Sequence, residues 1–232
     1  MTRPIVFLSD YGLTDPFVGI CHGVIARIAP DARVIDLTHA IARQDVLRGA
    51  VELSRALPYL PGDAVSLAVV DPGVGSERRA VAIESEDVLL TPLSRTFHGR
   101  DVFAPAAAHL AAGMPLGDLG SALDPATLYR VELPGPMVAP GALGTRVTAV
   151  DGYGNAQLNA RASDLSAAGI DGGTVRLNGR VVPRAAAFSE LDRQGTGLIV
   201  DSQGYLSVVV NHGSAASSLG LAAGDAVVIE RL

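Results

Sequence analysis

The first third of the chain alternates between short apolar runs and stretches with helical spacing, and this restricts the fold more than any other feature. Ile5 to Leu8 is one continuous apolar run, the pattern of a buried strand. Asp15-Pro16 then opens a helix, with an acceptor at the N-cap and a proline in the first turn. Phe17, Ile20, Cys21, Val24, Ile25 and Ile28 recur along one side of it, and Ala29-Pro30 stops it. Val34-Ile35-Asp36-Leu37 reads as a second strand. Asp45 caps a second helix, with Val46, Leu47, Ala50, Val51 and Leu57 on one face. Ala64 to Val70 is a third strand, ending abruptly at Asp71-Pro72-Gly73-Val74-Gly75. Such alternation predicts an α/β domain with a mainly parallel sheet and helices on its faces. Val81-Ala82-Ile83 and Val88-Leu89-Leu90 are further candidate strands, and an alanine-rich helix is predicted from about Val102 through Ala112.

The second half changes character. Arg146 to Val150, Thr174 to Leu177, Leu198 to Val200, Tyr205 to Val210 and Ala226 to Ile229 are short runs bounded by Gly, Asn and Asp. This is an all-β pattern, a small barrel or sandwich. Glycines and prolines crowd the stretch from Leu133 to Gly144, which reads as a linker. The expected organisation is therefore an α/β domain over 1–132, a linker over 133–144 and a β-barrel domain over 145–232.

Composition excludes several classes of function. The net charge is −6, from 18 basic and 24 acidic residues, whereas nucleic-acid binders show a basic footprint. Every one of those bases is arginine, which removes a lysine Schiff base, a Walker lysine and a lysine general base. No stretch reaches the roughly 18 apolar residues of a membrane span, and the N-terminal apolar run is too short for a signal peptide. Cys21 is a lone cysteine, so no internal disulfide can form and a reducing cytoplasm is expected. There is no Cys-x-x-Cys or His-x-x-x-His for zinc, and no Gly-x-Ser-x-Gly elbow.

Polar clusters stand where the apolar runs end, the place where open α/β sheets bind ligands. They are Ser9-Asp10-Tyr11-Gly12, Asp36-Leu37-Thr38-His39 and Asp71-Pro72-Gly73-Val74-Gly75-Ser76, with a fourth at Thr96-Phe97-His98-Gly99-Arg100-Asp101. Taken singly, each has an ordinary structural explanation. Asp10 and Asp71 can open turns, His98 can be a structural histidine, and Arg78 and Arg79 can be surface charge. Asp151-Gly152-Tyr153-Gly154-Asn155 and Asp201-Ser202-Gln203-Gly204-Tyr205 each read as a hairpin loop. The residues alone reach as far as a two-domain α/β plus β protein with acidic turn clusters.

Taken together and in order, Leu8-Ser9-Asp10-Tyr11-Gly12, Asp71-Pro72-Gly73-Val74-Gly75, Thr96-Phe97-His98-Gly99-Arg100-Asp101-Val102-Phe103-Ala104-Pro105, Asp151-Gly152-Tyr153-Gly154-Asn155 and Ser202-Gln203-Gly204-Tyr205-Leu206 resemble the S-adenosylmethionine (SAM) hydrolase family. These enzymes are also called SAM hydroxide adenosyltransferases and are relatives of the fluorinases and chlorinases. The resemblance spans nearly the whole chain, and the Thr-Phe-His-Gly-Arg-Asp run is its most specific part. It implies an α/β domain followed by a β-barrel, assembly into a cytoplasmic homotrimer with active sites between subunits, and cleavage of SAM by water to adenosine and L-methionine. SAM is the substrate, and no cofactor and no metal are implied.

The same resemblance assigns residues. Asp71, Arg78 and His98 match the family's water-handling triad. Asp10 matches the ribose-binding acid, and Asp15 and Asp151 match acids near the methionine ammonium. Ser202, with Gln203 beside it, matches the methionine-carboxylate position. Asn155 matches an adenine contact, and Phe188 falls near an aromatic that stacks on adenine. The halogenating relatives carry a tyrosine where Asp71 stands and a halide-holding serine where Gly99 stands, so this chain favours water as nucleophile. Their tryptophan after the second strand is Gln44 here. Family members also carry roughly thirty further residues before the Thr-Phe-His run, a length change a surface segment tolerates. Only Leu89-Leu90-Thr91-Pro92-Leu93-Ser94-Arg95 precedes Thr96 here, so a strand or edge helix of the first domain is expected to be missing. The alternative to an enzyme is a non-catalytic SAM- or adenosine-binding protein left inactive by that shortening.

Overall fold

The computed structural model describes residues 2–74, 80–83, 98–128 and 135–232. It divides into two units, Met1–Val131 and Glu132–Leu232.

The first unit is built on three strands, β1 (Ile5–Ser9), β2 (Val34–Thr38) and β3 (Val65–Val69), in the order β2-β1-β3. Both pairings are parallel, as the strand–helix alternation predicts. β1 is the central strand and is buried along its whole length. That is why it reads as an uninterrupted apolar run rather than an alternating one. Helix α1 (Phe17–Ile28) follows β1, α2 (Val46–Ala56) follows β2, and α3 (Ala104–Ala111) enters through a π-helical turn at Gly99–Phe103. Ile5 and Phe7 face a core made with Val18, Cys21 and Ile25 of α1 and Ala104, Ala107, Ala108 and Ala111 of α3. Four small residues on one stripe let α3 lie close against its neighbours. The opposite face of the sheet meets α2. A Cβ added at Gly49 would stand 3.0 Å from Val70 Cγ2 and 3.6 Å from Leu8 Cδ2, so a glycine there permits the approach.

The caps differ from one another. Asp45 accepts from the Arg48 N–H at 2.9 Å and caps α2 as expected, an interaction worth about 1 kcal/mol. Asp15 does not cap α1: the cap position is Pro16, with no side-chain bond. Asp15 lines a cavity instead.

The second unit is a seven-stranded barrel. Its strands are β5 (Ala142–Val150), β6 (Ala156–Arg161), β7 (Thr174–Leu177), β8 (Arg180–Ala185), β9 (Thr196–Val200), β10 (Tyr205–Val210) and β11 (Ala226–Arg231). The ring runs β5-β6-β10-β9-β8-β7-β11 and closes where β11 pairs with β5. Only β8–β9 is parallel within it. β4 (Met137–Ala139) adds to the outside edge of β5. Alternating inward residues, among them Leu143, Leu158, Val175, Leu198, Val208 and Ile229, fill the interior together with Leu165 of α4 (Ala162–Ala167) and Ala215 of α5 (Ala215–Leu219).

Several expectations need correction. Residues 133–144 are not simply a linker, because 137–139 form β4 and 142–144 begin β5. Gly141, at φ +78°, turns a hairpin there, so the glycine and proline signal marked a turn between strands. Val81-Ala82-Ile83 is not in a strand. Val88-Leu89-Leu90 lies outside the described residues. The helix expected from Val102 begins as the π-helical turn and becomes α-helical at Ala104.

Candidate functional site

The carboxyl ends of β1 and β3 converge on one cavity of about 350 Å³, lined by Asp10, Tyr11, Asp15, Phe17, Arg43, Gln44, Val69, Asp71, Val74, His98 and Gly99. Asp10 follows β1 directly, and its N–H is held by the Val69 carbonyl at 3.3 Å. Its carboxylate Oδ2 accepts from the Gln44 N–H at 2.9 Å. Gln44 sits at φ +65°, a left-handed conformation that costs energy for a residue other than glycine. Such strain persists where surrounding bonds enforce it, and here it turns a backbone donor onto a cavity carboxylate.

Asp71 follows β3. Its Oδ1 accepts from the Gly73 N–H at 2.9 Å, the turn role read from Asp-Pro-Gly. Its Oδ2 lies 3.4 Å from His98 Nδ1. Both of the structural readings of Asp71 and His98 are thus partly true, yet the two side chains meet at the cavity wall. His98 is 4% exposed, and its ring packs edge-on to Phe103 at 6.3 Å between centroids. An ionised carboxylate can only accept, so Nδ1 is the donor to Asp71, and it is the neutral imidazole of that tautomer whose Nε2 offers a lone pair. Arg78 lies outside the described residues, as do Thr96 and Phe97. Arg100 and Asp101 pair with each other through two bonds, at 2.5 and 2.8 Å.

Two aromatic residues of the cavity wall stand together, Tyr11 from the polar cluster after β1 and Phe17 from the start of α1. Tyr11 and Phe17 pack at 5.9 Å between ring centroids. Phe17, placed by its spacing on the buried side of α1, is 40% exposed. Burial, together with nearby Cys21, Asp10 and Asp71, pushes the Tyr11 phenol well above its ordinary range, so it is a hydroxyl donor at neutral pH. Burial likewise pushes the Cys21 thiol up to about 11, which leaves it protonated and unreactive. Among the described residues no group of three His, Cys, Asp or Glu side chains could hold a metal ion.

Behind Asp10 runs a hydrogen-bonded chain that joins the polar clusters at the ends of β1 and β2. Ser9 Oγ lies 2.7 Å from His39 Nδ1, and His39 Nε2 lies 3.1 Å from Asp36 Oδ1. His22 Nε2 reaches the same Asp36 oxygen at 2.9 Å. Burial opposes ionisation of Asp36, but the hydrogen bonds from the two histidines outweigh it and lower its pKa. The order Ser–His–Asp resembles a nucleophile relay, but Ser9 is fully buried and cannot meet a substrate.

The second unit has its own concave surface. It is lined by Asp151, Tyr153, Asn155, Phe188, Asp201 and Ser202, among others. The loops 151–155 and 201–205 share one construction. In each, the aspartate Oδ1 accepts from the N–H groups two and four residues on, at 2.9 and 2.9 Å in the first and 2.9 and 3.0 Å in the second. In each, a left-handed glycine, Gly154 or Gly204, closes the turn onto the aspartate carbonyl at 3.0 Å. They differ in the second oxygen. Asp151 Oδ2 accepts from Asn155 Nδ2 at 2.9 Å, whereas Asp201 Oδ2 and Gln203 Oε1 are buried without a partner among the described residues. Such acceptors call for a donor from outside the loop. Arg161 stacks on the Tyr205 ring at 4.0 Å and braces the second loop.

The model of the SAM hydroxide adenosyltransferase N-terminal domain matches residues 5–92 and 86–120, and that of its C-terminal domain matches 145–228. This chain belongs to the SAM hydroxide adenosyltransferase family. The (R)-S-adenosyl-L-methionine hydrolase of Salinispora tropica is 43% identical over 254 residues, covering 95% of each chain. The fluorinase of Nocardia brasiliensis is 28% identical over 291 residues, covering 98% of this chain and 97% of the relative. The crystal structure of an uncharacterized conserved protein from Thermotoga maritima superposes with a TM-score of 0.89 at 30% identity, covering 98% of this chain and all of that one. An alignment of 254 residues exceeds this chain's 232, so the Salinispora tropica hydrolase has residues with no counterpart in this SAM hydroxide adenosyltransferase family member. The N-terminal family match also breaks into two pieces that overlap at 86–92, next to the shortened segment before Thr96.

Proposed function

We propose that this chain is a hydrolase of S-adenosyl-L-methionine, forming adenosine and L-methionine. The observation that carries the reading is the Asp71–His98 pair on the wall of the cavity that also holds Asp10. Family membership and 43% identity to an (R)-SAM hydrolase supply the substrate. That relative's name specifies the (R) configuration, and we extend it to this chain.

The chemistry balances without a cofactor. A water oxygen bonds to the ribose C5′ as the C5′–S bond breaks. The electron pair of that bond goes to sulfur, turning the sulfonium into the neutral thioether of methionine. The water loses a proton to the protein and then to solvent. Free water is a poor nucleophile, with a pKa of about 15.7, so the site must orient and deprotonate it. His98 Nε2 and the Asp71 carboxylate are the acceptors for that proton, and the Asp71–His98 bond fixes the imidazole. Arg78 is proposed as a donor that steadies the hydroxide-like oxygen. Asp10 accepts from the ribose hydroxyls, and Asp15 offers charge to the methionine ammonium.

In the second unit we assign Asn155 and Phe188 to adenine, Ser202 and Gln203 to the methionine carboxylate, and Asp151 to the ammonium. Both Asp151 oxygens already shape their loop, so it would act through remaining lone pairs. We propose a homotrimer in which each site combines the first unit of one subunit with the second unit of its neighbour. Light scattering is expected to give three times the 23.8 kDa chain mass; a monomer would refute this assembly. The lone cysteine suits a cytoplasmic enzyme, and no helix among the described residues is long and apolar enough to cross a membrane.

The test is to incubate the purified protein with SAM of known epimer composition and separate the products by chromatography. Equimolar adenosine and methionine, formed from the (R) epimer and unchanged by added chloride or fluoride, are expected. Bound SAM with no adenosine formed would replace the enzyme by a binding protein.

A further inference from the structure

The chain Ser9–His39–Asp36 ends one residue from Asp10, and its bonds have a direction. Asp36, held ionised by two histidines, can only accept, so His39 Nε2 donates to it. A neutral His39 then presents a bare Nδ1, which takes the Ser9 hydroxyl hydrogen at 2.7 Å. The Ser9 oxygen is thereby turned with its lone pairs toward the Tyr11 N–H, 3.4 Å away. His39 also grips the same loop through its backbone, because its carbonyl accepts from the Gly12 N–H at 2.8 Å. Both ends of the Asp10-Tyr11 dipeptide are therefore tied to one histidine. That histidine is wedged edge-on against Phe7, with 4.6 Å between ring centroids. Ser9 and His39 are 0% and 4% exposed, so the bond between them is shielded from water and strengthened by it, while the Asp36 side chain at the far end is 41% exposed.

We propose that Ser9, His39 and Asp36 are positioning residues for the Asp10 carboxylate, and that this chain sets how strongly the protein recognises the two ribose hydroxyls. The proposal rests on Asp10 being the ribose acceptor. None of the three touches the substrate. They hold the peptide from which Asp10 projects, while the Gln44 N–H orients its Oδ2 from the other side.

The experiment measures binding of adenosine and of 2′,3′-dideoxyadenosine to the full chain by calorimetry. Wild-type protein is expected to prefer adenosine by roughly 10²-fold, two charge-assisted bonds being lost in the analogue. His39→Phe keeps an aromatic ring against Phe7 but removes both bonds, and is expected to cut that preference about tenfold. Ser9→Ala breaks the chain beside Asp10 with little change in volume and is expected to act in the same direction, which keeps the test open if His39→Phe fails to fold. His39→Asn, whose amide oxygen lies near the position of Nδ1, is expected to restore most of the preference. In an Asp10→Asn background, Ser9→Ala is expected to change nothing further. If Asp10→Asn itself leaves the preference intact, the assignment of Asp10 to ribose is wrong and the inference falls with it. If Asp10→Asn abolishes the preference but Ser9→Ala and His39→Phe leave it as in wild type, the positioning chain alone is refuted. Equal weakening of both nucleosides would also refute it, since that is loss of structure rather than of ribose recognition.

Discussion

Replacing Asp71 by asparagine is expected to reduce adenosine release from SAM by about 10²- to 10⁴-fold, the usual range for losing a positioned acid–base group. Asparagine is the informative substitution because Asp71 has two tasks. Its Oδ1 holds the Gly73 N–H at 2.9 Å, and an amide oxygen can continue to do so. Its Oδ2 faces His98 Nδ1 at 3.4 Å, and an amide nitrogen there presents a donor to a donor. The turn should survive while the imidazole loses its partner and the site loses a charge. Adenosine binding, measured by calorimetry, is therefore expected to stay near the wild-type value while kcat collapses. Asp71→Ala should abolish turnover as well, with some added cost from the broken turn. Wild-type turnover in Asp71→Asn would remove the carboxylate from the mechanism.

The largest effect on stability is expected at Gly154. Its φ of +83° is a left-handed conformation that costs an L-residue about 1–2 kcal/mol. A Cβ there would also collide with Ser214 Oγ and stand 2.5 Å from Ser214 Cβ and 3.0 Å from its backbone Cα. Ser214 cannot swing aside freely, because its Oγ caps α5 through the Ser217 N–H at 3.1 Å. The Gly154 carbonyl itself accepts from the Ala216 N–H at 2.9 Å. Gly154→Ala is thus expected to cost roughly 3–5 kcal/mol in total, combining backbone strain with overpacking. Gly204 is the internal control, with nearly the same φ of +81° in the twin loop. There the nearest atom to an added Cβ is Arg161 Nη1 at 3.1 Å, the far end of a flexible side chain. Gly204→Ala should show little more than the backbone cost. Chemical denaturation of the two variants decides: equal losses would mean that packing against Ser214 contributes nothing.

Elements with a strong periodic signal were legible and weakly patterned ones were not. β1, α2, β7 and β10 stand where the residues put them, because burial on one or both faces imposes a pattern that needs no tertiary information. β8 has no clean strand pattern, because Pro183 interrupts Arg-Val-Val-Pro-Arg-Ala. The strand tolerates it, with Pro183 opposite Thr174 at one end of the pairing with β7. β6 has a weak pattern as well, because Ala156-Gln157-Leu158-Asn159-Ala160-Arg161 carries one large apolar side chain. Its inward alanines fill the barrel where space is small. Asp15 lines the cavity and does not cap α1, a distinction that is not local, since an Asp-Pro pair before a helix has the same signature in both cases.

What the residues determined unaided was the layout and the chemical vocabulary. A parallel α/β unit, an all-β unit, acidic turns at strand ends and a histidine at a helix start are all local statements, and local patterning carries them. What only the tertiary structure decided was which of those groups meet. Asp71 and His98 are 27 residues apart and come within 3.4 Å because parallel β3 and the entry to α3 end beside each other. Ser9 and His39, 30 residues apart, meet because β1 and β2 are hydrogen-bonded neighbours whose carboxyl ends point the same way. Distance in sequence is uncorrelated with distance in space once a chain crosses over between parallel strands, so the cavity and the chain behind Asp10 became visible only when the strands were side by side.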